Sequence, residues 1–251
     1  MTRRVPLALT EVVPGVFLAR GPSVNWVVLT EGDSLTLIDN GYPGNGDLVE
    51  ETLDEVTRRT GARVLDAILI THAHSDHIGN LGRLVARAGP RPQVLTSELE
   101  TSHVRRDVLH QVSLVDVAKH AYNPRIVAWA VHAMRQGGLE PVGFDGVTAH
   151  AMGTPLDVPG RPVPVAVPGH TPGHSAYHLP QHGLIVAGDA LVSAHPTVRS
   201  TGPQVLLPMF NEDHARTRAG VERLIALDAD RFLPGHGPVA LMPAGAGRSA
   251  P

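Results

Sequence analysis

Apolar and polar positions alternate in short runs at the start of the chain. In "NWVVLTEGDSLTLIDNG" two β-rich runs, Trp26 to Thr30 and Ser34 to Asp39, flank a turn at Glu31-Gly32-Asp33 and predict a hairpin. The period then lengthens. Asp47 predicts the N-cap of a helix that ends near Gly61 and buries Leu48, Leu53 and Val56 on one face. "VLDAILIT" predicts a short buried strand that runs directly into "THAHSDHIGN". Asn80 predicts a cap for a helix from Leu81 to Ala88, and "QVLTS" a further strand.

Residues 98–136 break this rhythm. They predict two helices, 98–120 and 124–136, split by "YNP". Val104, Val108, Val112, Val115 and Ala118 recur at helical spacing there, with Leu109 beside them. Such a stripe serves core packing, a homodimer seam, or the roof of an apolar pocket, with Trp129 and Met134 able to join either use. The β pattern returns in "VPVAVPGH", "AYHLP" and "GLIVAGDA". Asn211 in "MFNEDH" predicts the cap of a last helix bearing Val221, Leu224 and Ile225, and "ADRFLPGHG" a closing strand and loop. The order predicts an α/β sandwich of two similar halves with a helical insertion at about 98–136 between them. One domain over 1–243 and a frayed Ala/Gly tail over 244–251 are expected.

Charge narrows the partners. Lys+Arg number 21 against 24 Asp+Glu, a formal net charge of −3, and the cations are mostly single arginines. Nucleic acid and an anionic membrane surface therefore have no electrostatic case, and a small-molecule substrate is expected. With no cysteine there is no disulfide, thiolate ligand or thiol nucleophile. The N-terminal apolar run is cut by Pro6 and ends at Glu11, too short for a secretory core, and no run reaches the length of a membrane span. A cytoplasmic location is expected.

The histidines carry the chemistry. His72, His74, Asp76 and His77 crowd into six positions after a β-run. Three more loops after β-runs place His170 in "PGH", Asp189 in "AGD" and His236 in "PGHG". Charged imidazoles repel, and neutral ones need partners for both nitrogens. A metal ion makes the crowding favourable, because it is held by neutral imidazole and by carboxylate, the donor set of zinc and of iron.

"THAHSDH", "PGHTPGH", "AGDA" and "LPGHG", in that order and preceded by "LIDNG" at 37–41, resemble the metallo-β-lactamase-fold hydrolase superfamily over about 24–240. Within it, the sequence resembles the glyoxalase II / lactonase-like branch. The resemblance implies an αββα four-layer sandwich with a dinuclear site at one edge. It assigns His72, His74 and His170 to a first metal, Asp76, His77 and His236 to a second, and Asp189 to both. Asp39 and His174 would support the site by hydrogen bonding. Two Zn²⁺ are implied, with iron or manganese in some members. Water held between them would lose a proton and attack as a bridging hydroxide while the metals polarise the substrate oxygen. Asp76 would orient that hydroxide and pass its proton to the leaving group, which makes it the catalytic residue.

Some branches fit less well. Asp189 stands where true β-lactamases have Cys or Ser. Glyoxalase II members carry a C-terminal helical domain with basic residues for glutathione, and with about fifteen residues following His236 a glutathione thioester is not the expected substrate. Homoserine-lactone lactonases place a Tyr three residues after the shared Asp, where this sequence has Val192. Tyr177, Ser193 or His195 are left to assist the carbonyl. The expected activity is hydrolysis of a carboxylic ester, lactone or thioester. A phosphodiesterase, a promiscuous β-lactam hydrolase and a mononuclear iron sulfur dioxygenase are the alternatives. His103, His110, His120, His132, His150, His178, His182 and His214 are expected to be surface or structural.

Overall fold

The computed structural model describes residues 7–89 and 91–244. Strands β1 (Ala8–Val13), β2 (Val16–Arg20), β3 (Asn25–Glu31) and β4 (Ser34–Ile38) form an antiparallel meander. Helix α1 (Gly46–Thr60) crosses over to β5 (Val64–Leu69), which lies parallel to β4. Helices α2 (Ser75–Ile78) and α3 (Leu81–Arg87) lead to β6 (Gln93–Thr96), parallel to β5. The insertion follows, with α4 (Glu98–Val104), α5 (Leu114–Lys119) and α6 (Pro124–Arg135), before β7 (Thr148–Ala149) closes the seven-stranded sheet. The second sheet contains β8 (Val163–Ala166), β9 (Ser175–Leu179), β10 (Leu184–Gly188), β11 (Arg231–Pro234) and β12 (Ala240–Leu241), in the order β12-β11-β10-β9-β8. Helix α7 (His214–Ile225) connects β10 to its parallel neighbour β11.

Alternation along the strands sorts side chains into three layers of core. Phe17, Trp26, Val28, Leu37 and Ile68 face α1 and α3. Val16, Leu18, Val27, Leu29 and Leu69 face the other sheet, where they meet Tyr177, Leu179, Val186 and Leu233. Ile185, Ala187 and Phe232 face α7 through Val221 and Leu224. The result is the expected four-layer αββα sandwich.

Several local expectations are corrected. Strands β1 and β2 arise from residues 8–20, a stretch whose short apolar run suggested no element. Asn45, not Asp47, occupies the N-cap of α1. Asp47 falls in the first turn and holds Arg83 at 2.7 Å. Asn80 is the N-cap of α3 as expected, although its side-chain amide donates to the carbonyls of Asn40 and Tyr42 and makes no bond to the helix. Asp213, not Asn211, caps α7, accepting from the Arg216 amide at 2.9 Å. The helix expected over 98–120 is broken. Arg106 takes a left-handed φ of 67°, and its guanidinium turns back to donate to the Ala73 carbonyl at 2.7 Å. The valine stripe is therefore split. Val104 joins the core, Val112 packs with Val192, Leu206 and Phe210, and Val108 and Val115 are exposed. The tail expectation over 244–251 lies outside the described residues apart from position 244. No helix among the described residues is long and apolar enough to cross a membrane.

Candidate metal centre

Strand ends aim the chemistry. β4 ends beside Asp39, β5 runs into His72, β10 into Asp189 and β11 into His236, so parallel strands deliver their carboxyl ends to one edge of the sandwich. His170 joins them from the turn between β8 and β9. Two glycines permit the approach. Gly169 has a φ of 136°, and a Cβ there would strike the Thr217 backbone. A Cβ on Gly235 would strike the Asp189 carboxylate. The "PGH" pattern is a packing requirement of these loops.

All seven sequence-selected residues come together. Hydrogen bonds on the outer side of each ring fix which nitrogen faces inward. His72 places Nδ1 3.1 Å from Thr71 Oγ1. His74 donates through Nε2 to the His110 carbonyl at 2.6 Å. His170 has Nδ1 3.3 Å from Asn211 Oδ1, whose own amide donates to Leu206 and Leu207. The inner nitrogens then converge: His170 Nε2 lies 3.2 Å from His72 Nε2 and 3.1 Å from His74 Nδ1. Three acceptor lone pairs cannot bond one another. Tetrahedral zinc at about 2.05 Å per nitrogen would separate its ligands by about 3.3 Å, close to these spacings.

The second set is built alike. His77 donates through Nδ1 to Asp39 Oδ2 at 2.8 Å, and Asp39 also accepts from the Thr71 amide and hydroxyl. His236 donates through Nδ1 to the Ser23 carbonyl at 2.5 Å. Their Nε2 atoms face Asp76 Oδ2 at 3.9 and 3.6 Å. Asp189 stands between the sets, with Oδ2 3.0 Å from His236 Nε2 and 3.6 Å from His170 Nε2, and Oδ1 3.5 Å from His77 Nε2. His77 Nε2 and Asp189 Oδ1 are buried with no hydrogen-bond partner. Groups of three that could hold an ion are His72/His74/His170, Asp76/His77/His236, and a middle group of His72, His77 and Asp189. The orphaned donors and the convergent lone pairs fit a pair of metal ions.

Electrostatics agrees. Burial holds His72 and His170 well below the usual histidine range and His74 down at about 4, so the first set is neutral. Burial would lower His77 too, but the carboxylates of Asp39, Asp189 and Asp76 outweigh it and hold the ring up at about 10. His236 is likewise raised, against burial, by Asp189 and Asp76. Three carboxylates favour positive charge at this point, whether a proton or a metal ion carries it.

Supporting residues were only partly legible. His174 acts as expected, accepting from the Asp189 amide at 3.0 Å and stacking on His72. Glu100 and Asn211 were missed in these roles. Glu100 is fully buried and accepts from the Ala73 amide (2.9 Å), His103 Nδ1 (2.8 Å), Thr171 Oγ1 (2.8 Å) and the Gly173 amide (3.0 Å). It ties both histidine loops to α4. His103, expected at the surface or as structural, is fully buried in this network. Of the three candidates for the carbonyl, Tyr177 instead donates to Ile70 and Ser193 to Pro238. His195 alone lines the pocket.

That pocket lies over the centre, with a volume of about 90 Å³. Its floor is His74, Asp76, His170, Asp189, His195 and His236, and its walls include Val112, Leu114, Trp129, Met134, Leu206 and Phe210. Tyr42 also lines it, with Asp76 and Trp129 flanking the hydroxyl and burial keeping the phenol protonated.

Known proteins resemble this chain over much of its length. A probable metallo-hydrolase of Bacillus subtilis, YflN, is 25% identical over 246 residues, 91% of this chain and 82% of that protein. Hydroxyacylglutathione hydrolase of Aeromonas hydrophila is 28% identical over 208 residues, 83% of this chain and 58% of that protein. The chain spans 58 to 61% of the length of three curated relatives, that hydrolase among them. A solved structure of a protein in a di-iron-bound form is 25% identical, with a TM-score of 0.56 over 89% of this chain and 92% of that one. The family model of the metallo-beta-lactamase superfamily matches residues 19–236. By sequence, fold and clustered donors alike, the chain belongs to the metallo-beta-lactamase superfamily.

Proposed function

We propose that this chain is a dinuclear zinc hydrolase that opens a carboxylic ester, lactone or thioester of a small molecule. The observation behind this reading is the convergence of two donor sets on Asp189 at the floor of a walled pocket. When bound, the two ions would supply a nucleophile at neutral pH and polarise the carbonyl. His72, His74 and His170 would hold one, Asp76, His77 and His236 the other, and Asp189 both.

The chain's own residues do the rest. Asp76, partly exposed at the pocket floor, accepts the nucleophile's proton and returns it to the leaving group. His195 has Nδ1 2.7 Å from Thr197 Oγ1 and 3.4 Å from the Thr197 amide, which leaves the ring proton on Nε2. Burial and neighbouring His236 hold this ring down at about 3, so it is a neutral donor for oxygen charge developing on the carbonyl.

Elemental analysis joined to a side-by-side assay tests the proposal. Two zinc ions per chain are expected, with preference for a lactone or p-nitrophenyl ester over bis-p-nitrophenyl phosphate and nitrocefin. One iron per chain with thiol-dependent oxygen uptake, or preference for the phosphodiester, would overturn it.

A further inference from the structure

The walls of the pocket are more selective than its floor. Above the donors, α5 and the loop before it contribute Val112, Leu114 and Val117, and α6 contributes Trp129, Ala133 and Met134. Leu206 and Phe210 close the far side, with Trp129 edge-on to Phe210 at 4.9 Å. The polar wall groups are neutral: Tyr42, Ser75 and Gln111. No Lys or Arg is among the residues that line this cavity. Arg106, which lies behind the floor, is committed to the carbonyls of Ala73 and Val142. Arg20 and Arg125 line a neighbouring cleft that shares His195 and His236 with this pocket, and neither is among the pocket's own lining residues.

A charge at the far end of a substrate would therefore leave water for an apolar wall with no counter-ion. That is strongly unfavourable for a carboxylate. Apolar chains gain from the same wall. Glutathione thioesters carry two carboxylates and an ammonium, so the wall chemistry argues against the substrate named for the Aeromonas relative.

We infer that the pocket built by the helical insertion selects esters or lactones whose acyl part is uncharged and apolar, and rejects those carrying a charge away from the reacting carbonyl. This inference rests on the ester-hydrolase reading for its substrate bond, but its selectivity lies in the walls alone.

Two matched pairs test it on the metal-loaded full chain. The first pair is methyl octanoate and monomethyl suberate, which share the ester and chain length but differ by a carboxylate at the far end. The neutral ester is expected to show at least 100-fold higher kcat/KM. The second pair is methyl octyl ketone and its ω-carboxylate analogue, which cannot be hydrolysed. Their binding is read from Trp129 fluorescence, since the other tryptophan, Trp26, is buried in the core and bonded to Thr52. The ketone should quench saturably and its charged analogue at least tenfold more weakly, with no quenching in Trp129→Phe.

Leu114→Lys places a cation at the exposed rim of the wall, where folding is unaffected, and should narrow both ratios to within about tenfold of parity for the esters and threefold for the ketones. Selective ketone binding without turnover of either ester would sink the hydrolase reading and support this inference. Equal use of both esters, equal binding of both ketones, or preferred turnover of an acyl-glutathione would overturn the inference and leave ester hydrolysis standing.

Discussion

His74 Nε2 lies 2.6 Å from the carbonyl oxygen of His110, and this bond joins a donor loop to the helical insertion. The His110 amide in turn lies 3.3 Å from His103 Nε2, and His103 Nδ1 lies 2.8 Å from Glu100. Glu100 completes the circuit at the Ala73 amide, next to His74. Each Glu100 oxygen receives two donors, Ala73 and His103 at Oε1, Thr171 and Gly173 at Oε2. Either orientation of an amide would set its NH₂ against two donors. Glu100→Gln should therefore cost about 1–3 kcal/mol of stability in denaturant titration. It should also weaken zinc binding about 10- to 100-fold in chelator competition. Unchanged zinc affinity would show that the circuit does not orient His74.

Asp76 and Asp189 differ in surroundings. The Asp189 side chain is 3% exposed and lies within 3.6 Å of both His170 and His236. Asp76 keeps 14% of its side chain exposed at the pocket floor. Asp76→Asn should lower kcat at least 100-fold, as expected for loss of a proton carrier, with little change in thermal stability. Turnover close to wild type in the variant would remove Asp76 from the proton path.

Legibility in the sequence followed the range of the interaction. The donors were visible because each sits in a short loop after a β-run, and a local pattern records that geometry. The sandwich was visible because β3, β4, β5 and β10 arise from short β-rich or apolar runs bounded by turns, as strands covered on both faces require. Residues whose partners lie far along the chain were not. Asn211 reads as a helix cap, since Asn favours that position, yet Asp213 caps α7 and Asn211 orients His170, 41 residues away. Glu100 carries no local signal of its role, because nothing nearby in the sequence shows that Gly173 and Thr171 fold back onto it. The break at Arg106 was hidden too, since helical spacing of apolar residues persists through a segment that tertiary bonds pull out of the helix.

His195 packs edge-on against His236 at 4.8 Å and against Phe210 at 5.2 Å. His195→Phe keeps a ring in this space and removes the Nε2 proton. It should lower kcat about 100- to 1000-fold, in the range of a lost oxyanion donor, and leave KM for a neutral ester within about threefold. A loss confined to KM would assign His195 to the wall instead.

Metal-free protein should be most stable near neutral pH. Burial holds His174 at about 4 and His195 at about 3, below the unfolded value of about 6.5. Between these values the unfolded chain binds more protons, so stability rises with pH. It is fully present above about 6.5 and is lost as pH falls toward 4 and then 3, with at most ~1.4 kcal/mol per unit for each ring. His77 works the other way. Its carboxylate neighbours hold it at about 10, so its contribution is full below about 6.5 and is lost as pH rises through 10. Urea titrations of the metal-free chain from pH 4.5 to 9 should give a maximum between the two limbs, and His195→Phe should make the acid limb less steep without moving the other, since His72, His74, His170 and His174 still contribute to it. Zinc should raise the midpoint more at pH 7.5 than at pH 5, because donor nitrogens must be deprotonated to bind it. An acid limb unchanged in His195→Phe would place the proton uptake on other groups.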